Sequence, residues 1–259
     1  MPELLSIVKI GGKVLDQPDV LNESLRRFAN ISGPKILVHG GGVKATRLCK
    51  ALGIETHMVE GRRITSKDCL EVTTMVYAGL LNKQIVAELQ GLNCNAIGLS
   101  GPDANSIKAV KREEDRINYG WVGDIDSVNT QTIKSLLKMN LYPVFCAISH
   151  DQKGQLLNTN ADTIASEIAV ALQKSFKCRL LLCLEKKGVL INPHDDESVI
   201  ERLSLSDYVD MKKKGQISSG MIPKVDNAFN AHNKGVYQVL ISNYESIGNS
   251  ADTGTLIID

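Results

Sequence analysis

Four short clusters in this chain combine residue types that can hold and move an anionic group. Lys9-Ile10-Gly11-Gly12 and His39-Gly40-Gly41-Gly42 each close an apolar run and precede a helix-like pattern. Asn158-Thr159-Asn160-Ala161-Asp162 opens a third helical pattern, and Ser218-Ser219-Gly220-Met221-Ile222-Pro223-Lys224 opens a fourth. Glycine lets the backbone approach a ligand closely. A helix behind it aims unpaired N–H groups and a partial positive charge at the same point. A lysine at a strand end beside such a turn reaches a phosphate as a point charge. Two such strand ends near the N-terminus imply a substrate with several negative groups, or two anionic substrates meeting.

The other two clusters carry the charge logic further. Asn160 suits a helix N-cap and Asp162 suits the first turn, where a carboxylate complements the dipole. An aspartate beside a phosphate site repels substrate unless it holds cations such as lysines or a metal. Pro223 fits the first turn of a helix, which sets Lys224 at an N-terminus against the dipole preference and implies an anion between them. Arg62-Arg63 is either a carboxylate clamp or exposed charge, and His39 packs or pins its loop. The phosphate-loop pattern G-x-x-x-x-G-K-[ST] and the dinucleotide fingerprint G-x-G-x-x-G are both missing after these strands. The histidines lack metal-ligand spacing such as H-E-x-x-H, so no metal ligand is assigned. Isolated lysines, glycine anion sites, one organising aspartate and no evident general base fit phosphoryl transfer, which needs positioning and charge neutralisation. A carboxylate acceptor is already ionised and needs no base.

The elements that position these groups alternate between strand and helix. Strands are expected at Leu4–Ile10, Lys35–His39, Ala96–Leu99, Tyr142–Ile148, Cys178–Leu184, Val236–Ile241 and Leu256–Ile258. Helices are expected at Val20–Ile31, Val43–Gly53, Ser66–Leu89, Thr130–Met139, Ala161–Leu172, Ser206–Lys214 and Pro223–His232. The segment Ile107–Val128 reads as hairpins, and 185–200 as loop. This rhythm predicts an α/β fold with a mostly parallel sheet covered on both faces. Ligands in such sheets bind beyond the strands' C-terminal ends, where all four clusters fall.

Bulk properties narrow the classes. A chain of 259 residues buries roughly three quarters of its unfolded surface and needs no staple. Apolar residues are 43% and aromatics 4%, which favours aliphatic helix-on-sheet packing. The net charge of +1 gives no case for nucleic acid or a membrane surface. The six cysteines contain no C-x-x-C pair and sit mostly in apolar runs, as reduced buried thiols do. No run approaches the ~18–20 apolar residues of a membrane span, and Met1-Pro2-Glu3 lacks a basic leader, so a cytoplasmic protein is expected.

The chain resembles the acetylglutamate kinases of the amino acid kinase superfamily. The resemblance is carried, in order, by Lys9-Ile10-Gly11-Gly12, His39-Gly40-Gly41-Gly42, Gly61-Arg62-Arg63-Ile64-Thr65, Asn158-Thr159-Asn160-Ala161-Asp162, Gly220-Met221-Ile222-Pro223-Lys224 and Gly254-Thr255-Leu256-Ile257. It implies one domain over residues 1–259, a three-layer α/β/α sandwich. A lobe of about residues 1–175 would bind acylglutamate and one of about 176–259 would bind ATP. The implied reaction is phosphorylation of the γ-carboxylate of N-acetyl-L-glutamate. By the resemblance Lys9 and Lys224 stabilise the transferring phosphoryl group and Asp162 orients both. Gly41, Gly42, Arg63 and Asn158 bind the acylglutamate. Gly11, Gly12, Glu185, Lys186, Lys187, Gly188, Ser219, Gly220 and Met221 hold phosphate and nucleotide, with Mg²⁺ arriving on ATP. The chain departs from the common pattern at Lys186-Lys187 and at Pro102. It begins at its first strand, without the extra helix of arginine-inhibited hexamers, so an arginine-insensitive homodimer built on the 66–89 helix is expected. Phosphorylation of N-succinylglutamate, another activity of the superfamily and a non-catalytic amino-acid sensor are the alternatives. Two catalytic lysines argue against the sensor.

Overall fold

The computed structural model of the chain describes residues 2–59, 62–113, 117–192, 194–217, 220–249 and 253–259. Its strands are β1 Leu4–Ile10, β2 Lys35–His39, β3 His57–Val59, β4 Arg62–Ile64, β5 Ala96–Leu99, β6 Ile107–Lys111, β7 Gly123–Val128, β8 Tyr142–Cys146, β9 Ile148–His150, β10 Leu156–Asn158, β11 Lys177–Leu184, β12 Arg202–Leu203, β13 Gln238–Asn243 and β14 Thr255–Ile257. Its α-helices are α1 Pro18–Ala29, α2 Gly42–Ala51, α3 Lys67–Thr74, α4 Asn82–Gly91, α5 Thr130–Lys138, α6 Ala161–Leu172, α7 Leu205–Lys213 and α8 Ile222–Asn233. Eight strands form the central sheet in the order β12-β14-β13-β11-β1-β2-β8-β5. Every neighbouring pair is parallel except β13 and β14.

The sheet is parallel because its strands are apolar on both faces and are joined through helices. All of β2 and the last four residues of β1 are buried. Helices α6 and α8 pack on β1, β11 and β13, whereas α1 packs on α4, which covers β5 and β8. This is the expected three-layer arrangement. Strand order reverses at β1, which lies between β2 and β11. Such a switch leaves a crevice beyond the C-terminal strand ends, and Lys9 and His39 lie at those ends.

Two expected elements take a modified form. The helix expected at Ser66–Leu89 runs from Lys67 to Gly91, but Met75–Leu81 winds as a π-helix between α3 and α4. Hydrophobic spacing does not separate a π turn from an α turn. The apolar run Tyr142–Ile148, expected as one strand, divides at Ala147. β8 stays in the central sheet, while β9 joins a second sheet of order β10-β9-β6-β7. Tertiary hydrogen bonds draw the chain away there: Thr159 N–H donates to the Ala147 carbonyl at 3.1 Å and Gly101 N–H to the Ile148 carbonyl at 2.7 Å. The six cysteines are buried free thiols, as their apolar context implied.

Candidate active site

The crevice beyond β1 and β2 opens into a cavity of about 380 Å³ whose lining includes Lys9, Gly42, Arg63, Asn158, Asp162 and Lys224. Asp162 is its electrostatic centre. The Asn160 side chain caps α6, accepting from the N–H of Asp162 at 2.8 Å and of Thr163 at 3.3 Å. That cap starts the helix where Asp162 meets both lysines. Lys9 Nζ lies 2.8 Å from Asp162 Oδ1, and Lys224 Nζ donates to Oδ2 at 3.0 Å. The anion that the dipole argument required beside Lys224 is therefore this carboxylate.

Burial opposes ionisation of Asp162, but the Lys9 and Lys224 charges outweigh it and hold the carboxyl well below the usual range. Burial lowers the pKa of Lys9, Asp162 raises it and Lys224 lowers it again. Only 7% of the Lys9 side chain is exposed, against 28% for Lys224. The two lysines thus differ: one is fixed in the wall and the other faces the opening. Gly11 makes the first placement possible, because a Cβ there would fall 2.5 Å from Lys9 Nζ.

The second glycine loop is shaped by the long helix. A Cβ on Gly41 would fall 2.5 Å from Leu81 Cδ1 and 2.7 Å from Tyr77 Cδ1, both on the π segment. Gly41→Ala is accordingly expected to destabilise the fold by about 1–3 kcal/mol, from a shift of loop against helix, as urea unfolding would read. Arg63 lies under the same loop, its Nη2 donating to the Gly42 carbonyl at 2.8 Å and to Thr46 Oγ1 at 2.7 Å. Among the described residues its Nη1 is buried without a hydrogen-bond partner. Buried donors are normally paired, so this one is available to an acceptor. Burial pushes the neighbouring Tyr77 phenol up to about 12, so it stays a neutral donor. Asn158, also in the lining, donates to Thr65 Oγ1 at 3.0 Å.

Lys9, Gly11 and Gly12, the glycines at 40–42 and residues 158–162, with Arg63 and Lys224, line this cavity, whereas His39 is buried behind its loop. The expected nucleotide segment stands apart. Lys186, Gly188 and Met221 line a second cavity of about 140 Å³. Lys187 lines a third, of about 760 Å³, and pairs with Glu197 at 2.6 Å. Glu185 is exposed at the end of β11, as is Gly220 before α8. Ser219 lies outside the described residues, as do Gly61 and Ser218. Sequence reasoning missed Thr46, Tyr77 and the Arg112–Asp124 pair, whose Nε–Oδ2 distance is 3.0 Å. Tyr77 reads as one more core residue of a helix, and the pair forms only when β6 meets β7.

The chain is also similar to known proteins. The chain is 48% identical over 253 residues to an acetylglutamate kinase of Phocaeicola vulgatus, covering 98% of both proteins. It is 50% identical over 244 residues to an acetylglutamate kinase of Cytophaga hutchinsonii, covering 94% of this chain and 92% of that protein. Among solved structures, smu.665 of Streptococcus mutans UA159 superposes with a TM-score of 0.79 at 27% identity, covering 98% of both chains. The family model described as "Amino acid kinase family" matches residues 5–243, and the chain belongs to that family.

Proposed function

We propose that this protein is a kinase that transfers the γ-phosphoryl group of ATP to the γ-carboxylate of N-acetyl-L-glutamate, the second step of arginine biosynthesis. The carrying observation is the buried Lys9–Asp162 pair, joined by the half-buried Lys224, facing a glycine loop and an arginine whose Nη1 has no partner among the described residues. Relatives named acetylglutamate kinase, at near-complete coverage, support this acid over the alternatives. A carboxylate oxygen attacks the γ-phosphorus, forming the acyl phosphate O–P bond while the bond to the ADP oxygen breaks. No proton is removed. Lys9 and Lys224 neutralise charge on the phosphoryl oxygens, and Asp162 holds both lysines without approaching the phosphate as a bare anion. Gly11 and Gly12 contact the phosphoryl group, while Gly41, Gly42 and Asn158 seat the acylglutamate.

The Arg63 Nη1 takes the substrate's α-carboxylate. Arg63→Ala is expected to raise KM for the acid roughly ten- to a hundredfold, the cost of a charge-assisted hydrogen bond, with KM for ATP unchanged. A KM shift confined to ATP would place Arg63 in the other pocket.

ATP is assigned to the side of Glu185–Gly188 and Gly220–Met221, the lobe of about residues 176–259, and acylglutamate to about 1–175. Its Mg²⁺ belongs to the nucleotide: both oxygens of the buried Asp162 already face lysines, and the described residues contain no group of three or more His, Cys, Asp or Glu suited to a metal. Exposed Met75 and Leu80 on the long helix support a homodimer through that face. No helix among the described residues is long and apolar enough to cross a membrane, which accords with a cytoplasmic enzyme.

Incubation with Mg-ATP and candidate acids, with acyl phosphate trapped by hydroxylamine, tests the assignment. Hydroxamate formed with N-acetylglutamate is the expected result. A strong preference for N-succinylglutamate would change the substrate, and no hydroxamate despite tight acid binding would overturn the kinase reading.

A further inference from the structure

The carbonyls of the second glycine loop are all held from the protein side. The Gly42 carbonyl accepts from Arg63 and from Thr46 Oγ1, each at 2.8 Å, and the Gly41 carbonyl accepts from Ala45 N–H at 3.0 Å within α2. Helix α2 therefore fixes the Gly41–Gly42 peptide. The Gly40–Gly41 peptide precedes the helix, and its carbonyl is held differently, by His39 Nδ1 at 2.9 Å. In a trans peptide the C=O and the following N–H point in opposite directions. Whatever holds the Gly40 carbonyl toward the core thus aims the Gly41 N–H away from it.

The His39 ring is fully buried, and its tautomer follows from its partners. A carbonyl accepts, so Nδ1 carries the proton. Asn82 Nδ2 lies 3.1 Å from Nε2 and also donates to the Val144 carbonyl at 2.9 Å. The amide's two hydrogens are then used, one on each, and Nε2 must be the bare acceptor. Burial lowers the ring's pKa to about 4, in keeping with a neutral imidazole. Asn82 has a made seat. It is the first residue of α4, directly after the π segment, and Lys83 Nζ donates to its Oδ1 at 3.2 Å. A Cβ on Gly98 of β5 would fall 2.0 Å from that Oδ1.

We propose that Asn82 is a positioning residue for the acid substrate, acting through the His39 ring to orient the Gly40–Gly41 peptide of the binding loop. The inference rests on the assignment of that loop to N-acetylglutamate. Asn82 touches no substrate; it fixes the tautomer that makes Nδ1 a donor.

The test pairs ring-nitrogen NMR of the histidines with steady-state kinetics. In the unaltered protein His39 should show a protonated Nδ1 and a bare Nε2. In Asn82→Asp the donor is replaced by an acceptor of nearly the same shape, so the neutral ring's one proton should move from Nδ1 to Nε2, and Nδ1 no longer donates to the Gly40 carbonyl. KM for N-acetylglutamate should rise about tenfold, the loss of one oriented hydrogen bond, with kcat and KM for Mg-ATP near the starting values. Gly98→Ala, which presses on Asn82 from behind the sheet, should move the same KM in the same direction and serves if the aspartate variant fails to fold. A protonated Nε2 in the unaltered protein would overturn the relay. So would variants in which both KM values and kcat worsen together, or in which neither KM moves. If no acyl phosphate forms with N-acetylglutamate in the unaltered enzyme, the substrate assignment fails, while the ring-nitrogen readout still decides the relay.

Discussion

Asp162→Asn is expected to lower kcat by on the order of a thousandfold, the scale of losing a preorganised charge contact at the transition state, and to destabilise the fold as well. The carboxylate is 3% exposed and opposes two ammonium groups at 2.8 and 3.0 Å. Removing one partner of a buried ion pair leaves the other uncompensated and costs about 3–5 kcal/mol. Lys9 bears most of this. Burial already lowers its pKa and Asp162 is the chief group that raises it, so in the variant Lys9 tends to the neutral amine and loses the charge proposed to stabilise the phosphoryl group. The pH dependence has a definite sign. The folded-state pKa of Asp162 lies below its unfolded value, so its contribution is complete above about pH 4, the unfolded carboxylate range. It is lost as pH falls through the folded value. Urea unfolding of the two proteins should therefore show a stability gap that is widest above about pH 4 and narrows in stronger acid. A gap independent of pH would mean that the lysines are not what holds Asp162 ionised.

Lys224→Ala should lower kcat by on the order of a hundredfold, about 3 kcal/mol at the transition state, with KM for N-acetylglutamate changed little. The expected effect on stability is small, because the Lys224 side chain is 28% exposed and Asp162 keeps its contact with Lys9. This separates the two lysines by experiment: loss of Lys9 disturbs the buried centre, whereas loss of Lys224 removes a charge facing the opening. Single-turnover measurement with trapped acyl phosphate isolates the chemical step. An unchanged kcat would remove Lys224 from the reaction, and a defect confined to acid KM would move it to the substrate seat.

Local features were legible because their causes are local. The 3.6-residue spacing of Ile164, Ala165, Ile168, Ala169 and Leu172 specifies α6, which runs over the expected Ala161–Leu172. Asn160 caps it as its side chain dictates, and Pro223 lies in the first turn of α8. Apolar runs ending in glycine marked β1 and β2 at the bounds they adopt, Leu4–Ile10 and Lys35–His39. Several of the shortest strands were not legible. β3, β4, β9, β10 and β12 have two or three residues each, too few for a period to register, and they exist because a neighbour supplies hydrogen bonds.

Which residue types were available, on which kind of element each stands and at which end all follow from local order along the chain. Lys9 had to lie at a strand's C-terminal end, Asp162 in a helix's first turn and Lys224 at another helix's start. Tertiary structure alone decided that they meet, with Lys224 and Asp162 62 positions apart in the chain. It also decided that Tyr77 and Leu81 close over Gly41, that one Arg63 nitrogen has no partner among the described residues and that Asn82 reaches His39. Periodicity and capping record forces between residues three or four apart. Strand order, with β1 set between β2 and β11, comes from the joint packing of several nearly interchangeable apolar strands, and only that order brings the charged ends to one cavity.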